Sequence, residues 1–187
     1  YYQIAYIIPK GADAQMRAQG VEALKSALVG MVPWIADRVD TLTSFDDVKL
    51  LDVELNRLRR WYSDGVLCIG DAAHAMSPVG GIGINLAVAD AVAAARILAG
   101  PLRAGRVSTG RLARVQARRW LPAALLQAAQ RSIHANVIAA AVAGGDQPPP
   151  RAVRAVSRSP ALRRFAGYLV AIGPLPEHAP RYARRAG

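Results

Sequence analysis

The 187-residue sequence predicts an α/β fold, with pieces of a sheet in its first part and helices in its second. Three observations predict it. Runs rich in β-branched and aromatic residues lie at 1–8 and 45–58. A short apolar run at 66–69 leads through a glycine-rich loop into a helical stretch at about 84–99. From residue 101 the chain is rich in Ala and Arg, with apolar positions at helical spacing.

Taken in order, Tyr-Tyr-Gln-Ile-Ala-Tyr-Ile-Ile at 1–8 reads as a strand ended by the Pro9-Lys10-Gly11 turn. From 12 to about 29, Met16, Val21, Leu24 and Leu28 recur at helical intervals. Gly30 is expected to stop that helix and Pro33 to start a second, short one. In 45–58, Val48, Leu50, Val53 and Leu55 alternate with polar neighbours, as in a strand. Ser63-Asp64-Gly65 is a turn, and 66–69 is expected to be a fully buried strand. The helix after the loop is expected to stop at Gly100-Pro101. Helix is expected again over 109–143, kinked at Pro122, then a loop at 144–150 and a last helix over 152–171, interrupted at Pro160.

A hydrophobic fraction of 52% with 20% charged residues excludes a disordered chain. From residue 101 onward, 15 Arg and no Lys face only Asp146 and Glu177, a net +13, whereas residues 1–100 carry −2. Such a half suits nucleic acid, anionic membrane or an anionic cofactor. Its arginines, among them Arg111, Arg114, Arg118 and Arg119, are spaced as on a solvated helical face, without interleaved aromatics. No nucleic acid is therefore expected as a partner. The single cysteine, Cys68, excludes a disulfide framework and a multi-Cys metal site; its apolar surroundings predict a buried, inert thiol. His74, His134 and His178 are too scattered for a metal-ligand pattern. The apolar stretches 86–99 and 133–143 are too short to span a bilayer, and Asp90 and Arg96 break the first, so no transmembrane segment is expected. A soluble, cytoplasmic protein is the expectation.

The chemistry is concentrated in residues 66–90. Asp71 follows the 66–69 run, and ligands bind at the carboxyl ends of strands in open α/β sheets. A carboxylate there accepts hydrogen bonds from vicinal hydroxyls of the ribose or ribityl kind. Ala72 and Ala73 keep bulk away, and Gly80, Gly81 and Gly83 let the backbone N–H groups approach a planar ligand. The helix beginning near Ile84 directs its positive amino end to the same place. These residues point to a polyhydroxylated or anionic cofactor without singling one out.

The stretch GDAAHAMSPVGGIGINLAVAD, from Gly70 to Asp90, closely resembles the GD motif of the group A FAD-dependent monooxygenases, the para-hydroxybenzoate hydroxylase family. The resemblance covers about 45–100 well and 1–11 more loosely. It implies a glutathione-reductase-like Rossmann FAD-binding domain, present in part, with part of a substrate-domain β-sheet and a helical carboxy terminus. On this reading residues 1–60 belong to the substrate-binding sheet domain, 61–100 close the FAD-binding domain, and 101–187 form a basic helical region. By position, Asp71 is expected to bind the ribityl region of FAD and Pro78 to lie beside the ring near N5. Gly83, Ile84 and Asn85 are expected to offer backbone donors to the pyrimidine edge, with Gly80 and Gly81 shaping the loop beneath. His74 is read as bracing the loop, Trp61 as core, and Arg57, Arg59 and Arg60 as alternating surface positions that otherwise suit cofactor phosphates.

The resemblance implies hydroxylation of a small, usually aromatic, organic substrate with O2, NAD(P)H as electron donor, and a flavin C4a-hydroperoxide. No catalytic side chain is expected, because the cofactor carries the chemistry. The family's strand–GxGxxG–helix and its middle Asp-Gly motif are not in the sequence, so the chain is expected to be the carboxy-terminal part of a longer protein. A reductase, dehydrogenase or halogenase on the same framework is one alternative. A basic nucleic-acid- or membrane-binding relic is another.

Overall fold

Gly20 divides the first helical stretch into two helices, α1 (Asp13–Ala18) and α2 (Val21–Met31), because it sits between them at φ +86°, outside the helical region. In this computed structural model, residues 3–78, 80–138 and 151–180 are described. They fall into two compact units, Tyr1–Asp52 and Val53–Gly187.

In the first unit α2 runs through Gly30 rather than stopping there. The stop comes one residue before Pro33, where Val32 is forced out of the helical region. Pro33–Ile35 is a single 3-10 turn. Leu24, Leu28 and Ile35 form the core, with Met16, Val32, Leu42, Phe45 and Val48 against them. The two strands expected here are absent. Residues 3–8 carry no regular structure, and Phe45–Asp47 is a 3-10 turn held by a capping box at Ser44, followed by irregular chain to residue 60. A strand needs a partner to satisfy its backbone, and neither segment has a strand beside it among the described residues.

The second unit begins its regular structure with a hairpin, β1 (Tyr62–Ser63) paired antiparallel with β2 (Val66–Leu67). Gly65 at φ +71° makes its turn. β2 is shorter than expected and is not fully buried: Val66 is exposed, and Cys68 is half-buried rather than enclosed. The described residues are mostly helical, with this hairpin as their sheet.

Helix α3 (Ile82–Arg103) is longer than the sequence suggests and passes through Gly100 and Pro101. Proline removes one donor in the last turns, and the true stop is Gly105 at φ +64°. There the Gly105 N–H donates to the Leu102 carbonyl and the Arg106 N–H to the Pro101 carbonyl, a Schellman ending. At 22 residues α3 is long and apolar enough to cross a membrane. It carries a fully buried Asp90 and packs along α4 (Thr109–Ile133). Pro122 lies buried inside α4, which ends in a π turn, His134–Ile138. The expected loop at 144–150 lies outside the described residues. The last helical stretch is two helices, α5 (Arg151–Arg158) and α6 (Pro160–Ala171). Ser159 separates them and caps α6, accepting from the Leu162 N–H.

Trp61, Ala73, Ile82, Leu86, Ala123 and Leu126 form the core that joins the loop, α3 and α4. On the face of α4 turned toward this core, three glutamines replace a neighbouring strand. Gln116 donates to the Arg59 carbonyl and accepts from the Trp61 N–H, while Gln127 donates to the Asn56 and Ala75 carbonyls. Gln130 accepts from the Ser77 N–H and donates to the Ser77 carbonyl. Each amide has a donor and an acceptor to match a peptide group, so irregular backbone is satisfied without a sheet.

Candidate functional site

Gly70 brings the loop against α3. Its φ of +59° favours glycine, and a Cβ there would lie 3.0 Å from the Cβ of Ala87. This approach lets the Gly70 N–H donate to Asp90 Oδ2 at 3.1 Å, while its carbonyl accepts from the N–H groups of Ala73 and His74 at 2.9 Å. Gly70→Ala is expected to cost about 1–3 kcal/mol in thermal denaturation, from backbone strain together with the crowded Cβ.

Asp90 is the buried centre of the second unit. Its Oδ2 also meets His74 Nε2 at 2.6 Å, and its Oδ1 accepts from Arg119 Nε at 2.9 Å. Burial by itself raises the Asp90 pKa, but hydrogen bonds from His74, Arg119 and the Gly70 N–H outweigh it and hold the carboxyl below its ordinary range. An ionised Asp90 selects the His74 form that carries hydrogen on Nε2. His74 is itself fully buried, 5.0 Å from the Trp61 ring, and its Nδ1 has no hydrogen-bond partner among the described residues. It therefore braces the loop from behind and presents no open face.

The charge chain continues outward. Arg119 Nη1 donates to the Leu175 carbonyl at 3.1 Å and lies 3.7 Å from Glu177 Oε1. Glu177, whose side chain is only 1% exposed, accepts from Arg96 Nη1 at 2.5 Å and Arg118 Nε at 2.6 Å. Arg119 thus departs from the solvated face expected for it, being 1% exposed, whereas Arg111, Arg114 and Arg118 lie on the exposed side of α4.

On the open side, Asp71, Pro78, Gly80, Gly81, Ile84 and Asn85 are exposed and Gly83 is half-buried. The Gly81 N–H donates to the Pro78 carbonyl at 3.0 Å, closing a turn in which Gly80 and Gly81 have φ of +84° and +63°. α3 follows at once, and no side chain of its N-cap residue, Gly81, caps it. Its first N–H groups have no partner within the helix. Asp71 stands beside this end: a Cβ on Gly83 would lie 3.9 Å from Asp71 Oδ1 and 3.4 Å from the Met76 Cβ. The carboxylate, the turn and the helix start share one face. The Asn85 side chain donates to the Val170 carbonyl of α6 at 3.4 Å, so its amide is engaged with that helix. Arg57 bonds Gln127 and lies over the Trp120 ring, and Arg60 lies over the Tyr62 ring.

This donor set suits the group that the GD motif implies. An ionised carboxylate accepts from hydroxyls, and a helix amino end favours a negative edge. Positions 80, 81 and 83 carry no side chain to fill the space before them. Sequence reasoning missed Arg119, Gln127, Gln130 and Glu177 as parts of the support. A signal existed for three of them: Gln127 and Gln130 share a helical face with Leu112, Val115, Ala123 and Leu126, and Glu177 is one of two acids in a strongly basic half.

Comparison with known proteins follows the same line. The FAD binding domain family matches residues 1–129. The chain is 40% identical over 167 residues to 6-methylpretetramide 4-monooxygenase of Streptomyces rimosus, an alignment that covers 86% of this chain and 38% of that protein. The chain thus spans well under half the length of the curated relative it matches.

Proposed function

The chain belongs to the FAD-binding domain family, and from that membership we propose that it forms the flavin-ring side of an FAD-dependent monooxygenase acting on a small organic substrate. The observation that carries this reading is the exposed Asp71 carboxylate beside the glycine-lined start of α3. The substrate is an aromatic molecule, O2 the co-substrate and NAD(P)H the electron donor. The finer fold is a Rossmann domain of the glutathione-reductase type completed by further chain, with the strand-like sequences at 1–8 and 45–58 contributing to a substrate-domain sheet.

When bound, FAD supplies electron transfer from the nicotinamide and activation of O2. The protein supplies binding and orientation. Asp71 would accept hydrogen bonds from the ribityl hydroxyls, and the backbone N–H groups of Gly83 and Ile84 would serve the pyrimidine edge, with Asn85 beside them as the first residue whose N–H is bonded within α3. The turn from Pro78 to Gly81 would shape the loop beneath the ring. The amino end of α3 stabilises negative charge on that edge by about 0.3–1 kcal/mol when exposed and up to about 2 kcal/mol when partly buried. The buried Asp90, His74 and Arg119 hold the loop in register from behind.

Asp71→Ala in the full-length protein is expected to weaken FAD binding about tenfold to a hundredfold, the loss of charge-assisted hydrogen bonds. The ratio of flavin to protein absorbance after gel filtration reads it. Unchanged flavin retention overturns the role of Asp71. Substrate-dependent O2 uptake with oxygen in the product supports the monooxygenase, and turnover without oxygen insertion supports a reductase or dehydrogenase instead.

A further inference from the structure

Ser77 immediately precedes Pro78, and its peptide groups are gripped from α4 at both ends. The Ser77 N–H donates to Gln130 Oε1 at 3.2 Å, and the Ser77 carbonyl accepts from Gln130 Nε2 at 2.8 Å. His134 Nε2 lies 2.8 Å from Ser77 Oγ. Gln130 is fully buried, so the grip is shielded from competing water. Holding the N–H and the carbonyl of one residue fixes the direction in which the chain leaves it. The next residue, Pro78, gives its carbonyl to the Gly81 N–H, and Gly81 is the residue from which α3 starts. A continuous path therefore runs from Gln130 through Ser77 and the Pro78 turn to the helix end proposed to face the flavin.

We propose that Gln130, assisted by His134, is a positioning residue for the flavin loop: it sets the placement of the Pro78–Gly81 turn against the ring without touching the cofactor. This rests on the FAD-site reading above. A purely structural role is the competing account, and Gln116 supplies the control. It also bonds the backbone at two points from the same helix, but on two different residues, the Arg59 carbonyl and the Trp61 N–H, away from the turn.

The test uses the full-length protein with Gln130→Met, which keeps the side-chain size and removes both hydrogen bonds to Ser77, beside Gln116→Met and His134→Leu. Three readouts are taken: the FAD dissociation constant, the visible absorption spectrum of the bound flavin, and amide hydrogen exchange across 76–84 without FAD. Expected for Gln130→Met are about tenfold weaker FAD binding, a changed flavin spectrum and faster exchange in that segment. His134→Leu changes the same quantities less, and Gln116→Met leaves flavin affinity and spectrum as in the wild type. Equal flavin effects from Gln116→Met and Gln130→Met overturn the proposal in favour of general destabilisation. Faster exchange with an unchanged flavin overturns it too. If Gln130→Met does not fold, an unchanged flavin in His134→Leu overturns it. If the wild-type protein takes up no FAD, the functional reading itself fails, and the exchange data then report only the Gln130 grip on Ser77.

Discussion

Replacing Asp90 with Asn is expected to destabilise the protein by about 3–5 kcal/mol, the cost of breaking a buried ion pair from one side. The substitution keeps the size of the side chain but takes from Arg119, itself enclosed, its nearer counter-charge and leaves only Glu177, 3.7 Å away. It also weakens the acceptor shared by His74 and the Gly70 N–H, so the loop loses its anchor together with the core. Urea denaturation of wild type, Asp90→Asn, Arg119→Met and the double variant measures this. Because the two residues act as a pair, the double variant is expected to be less destabilised than the sum of the singles. Strict additivity would show that Asp90 and Arg119 act independently. The pH dependence has a definite sign. The folded Asp90 pKa is lowered from its ordinary 3.8, so its stabilising contribution is complete above that value and is lost as pH falls through the lower, folded value. Acid denaturation of Asp90→Asn is expected to lack this step.

Trp61→Ala is expected to cost about 3–5 kcal/mol, the loss of an aromatic side chain together with the cavity left behind. Trp61 is 1% exposed and packs with Ala73, Ile82, Leu86, Ala123 and Leu126, directly behind the loop that carries Asp71. Its indole N–H donates to the Leu58 carbonyl at 3.2 Å, so truncation also removes that hydrogen bond. Against stabilities of about 5–15 kcal/mol typical of folded domains, the variant is expected to populate unfolded protein measurably. Trp120→Ala is the contrast. That ring is 41% exposed and carries Arg57 at 4.6 Å from its centre, so about 1 kcal/mol is expected. Comparable losses for the two tryptophans, read by thermal denaturation, would remove the hairpin–loop core from its assigned place.

Both variants act on elements whose legibility in the sequence differs. The turn at Gly65, the helical character of α3 and α4, and the break at Ser159-Pro160 are local, and residue types announce them. The strands at 1–8 and 45–58 did not form among the described residues, although their residue types favour them. Strand formation is a pairing event, and side-chain preference supplies no partner. Gly100-Pro101 looked like the end of α3, yet a proline near the last turn sacrifices one donor only, and the left-handed Gly105 was the actual terminator.

The sequence by itself determined the face that carries Asp71, Pro78, Gly80, Gly81, Gly83, Ile84 and Asn85, because those positions lie within fifteen residues of one another and their geometry is set by glycine's backbone freedom and proline's fixed φ. Tertiary structure alone decided what stands behind that face. Arg118 and Arg119 are neighbours of identical composition, and only the docking of α4 on α3 turns one outward and buries the other against Asp90. Likewise Gln130 meets Ser77 across 53 residues of chain. A hydrogen bond between distant segments depends on how two helices pack, which no local pattern encodes.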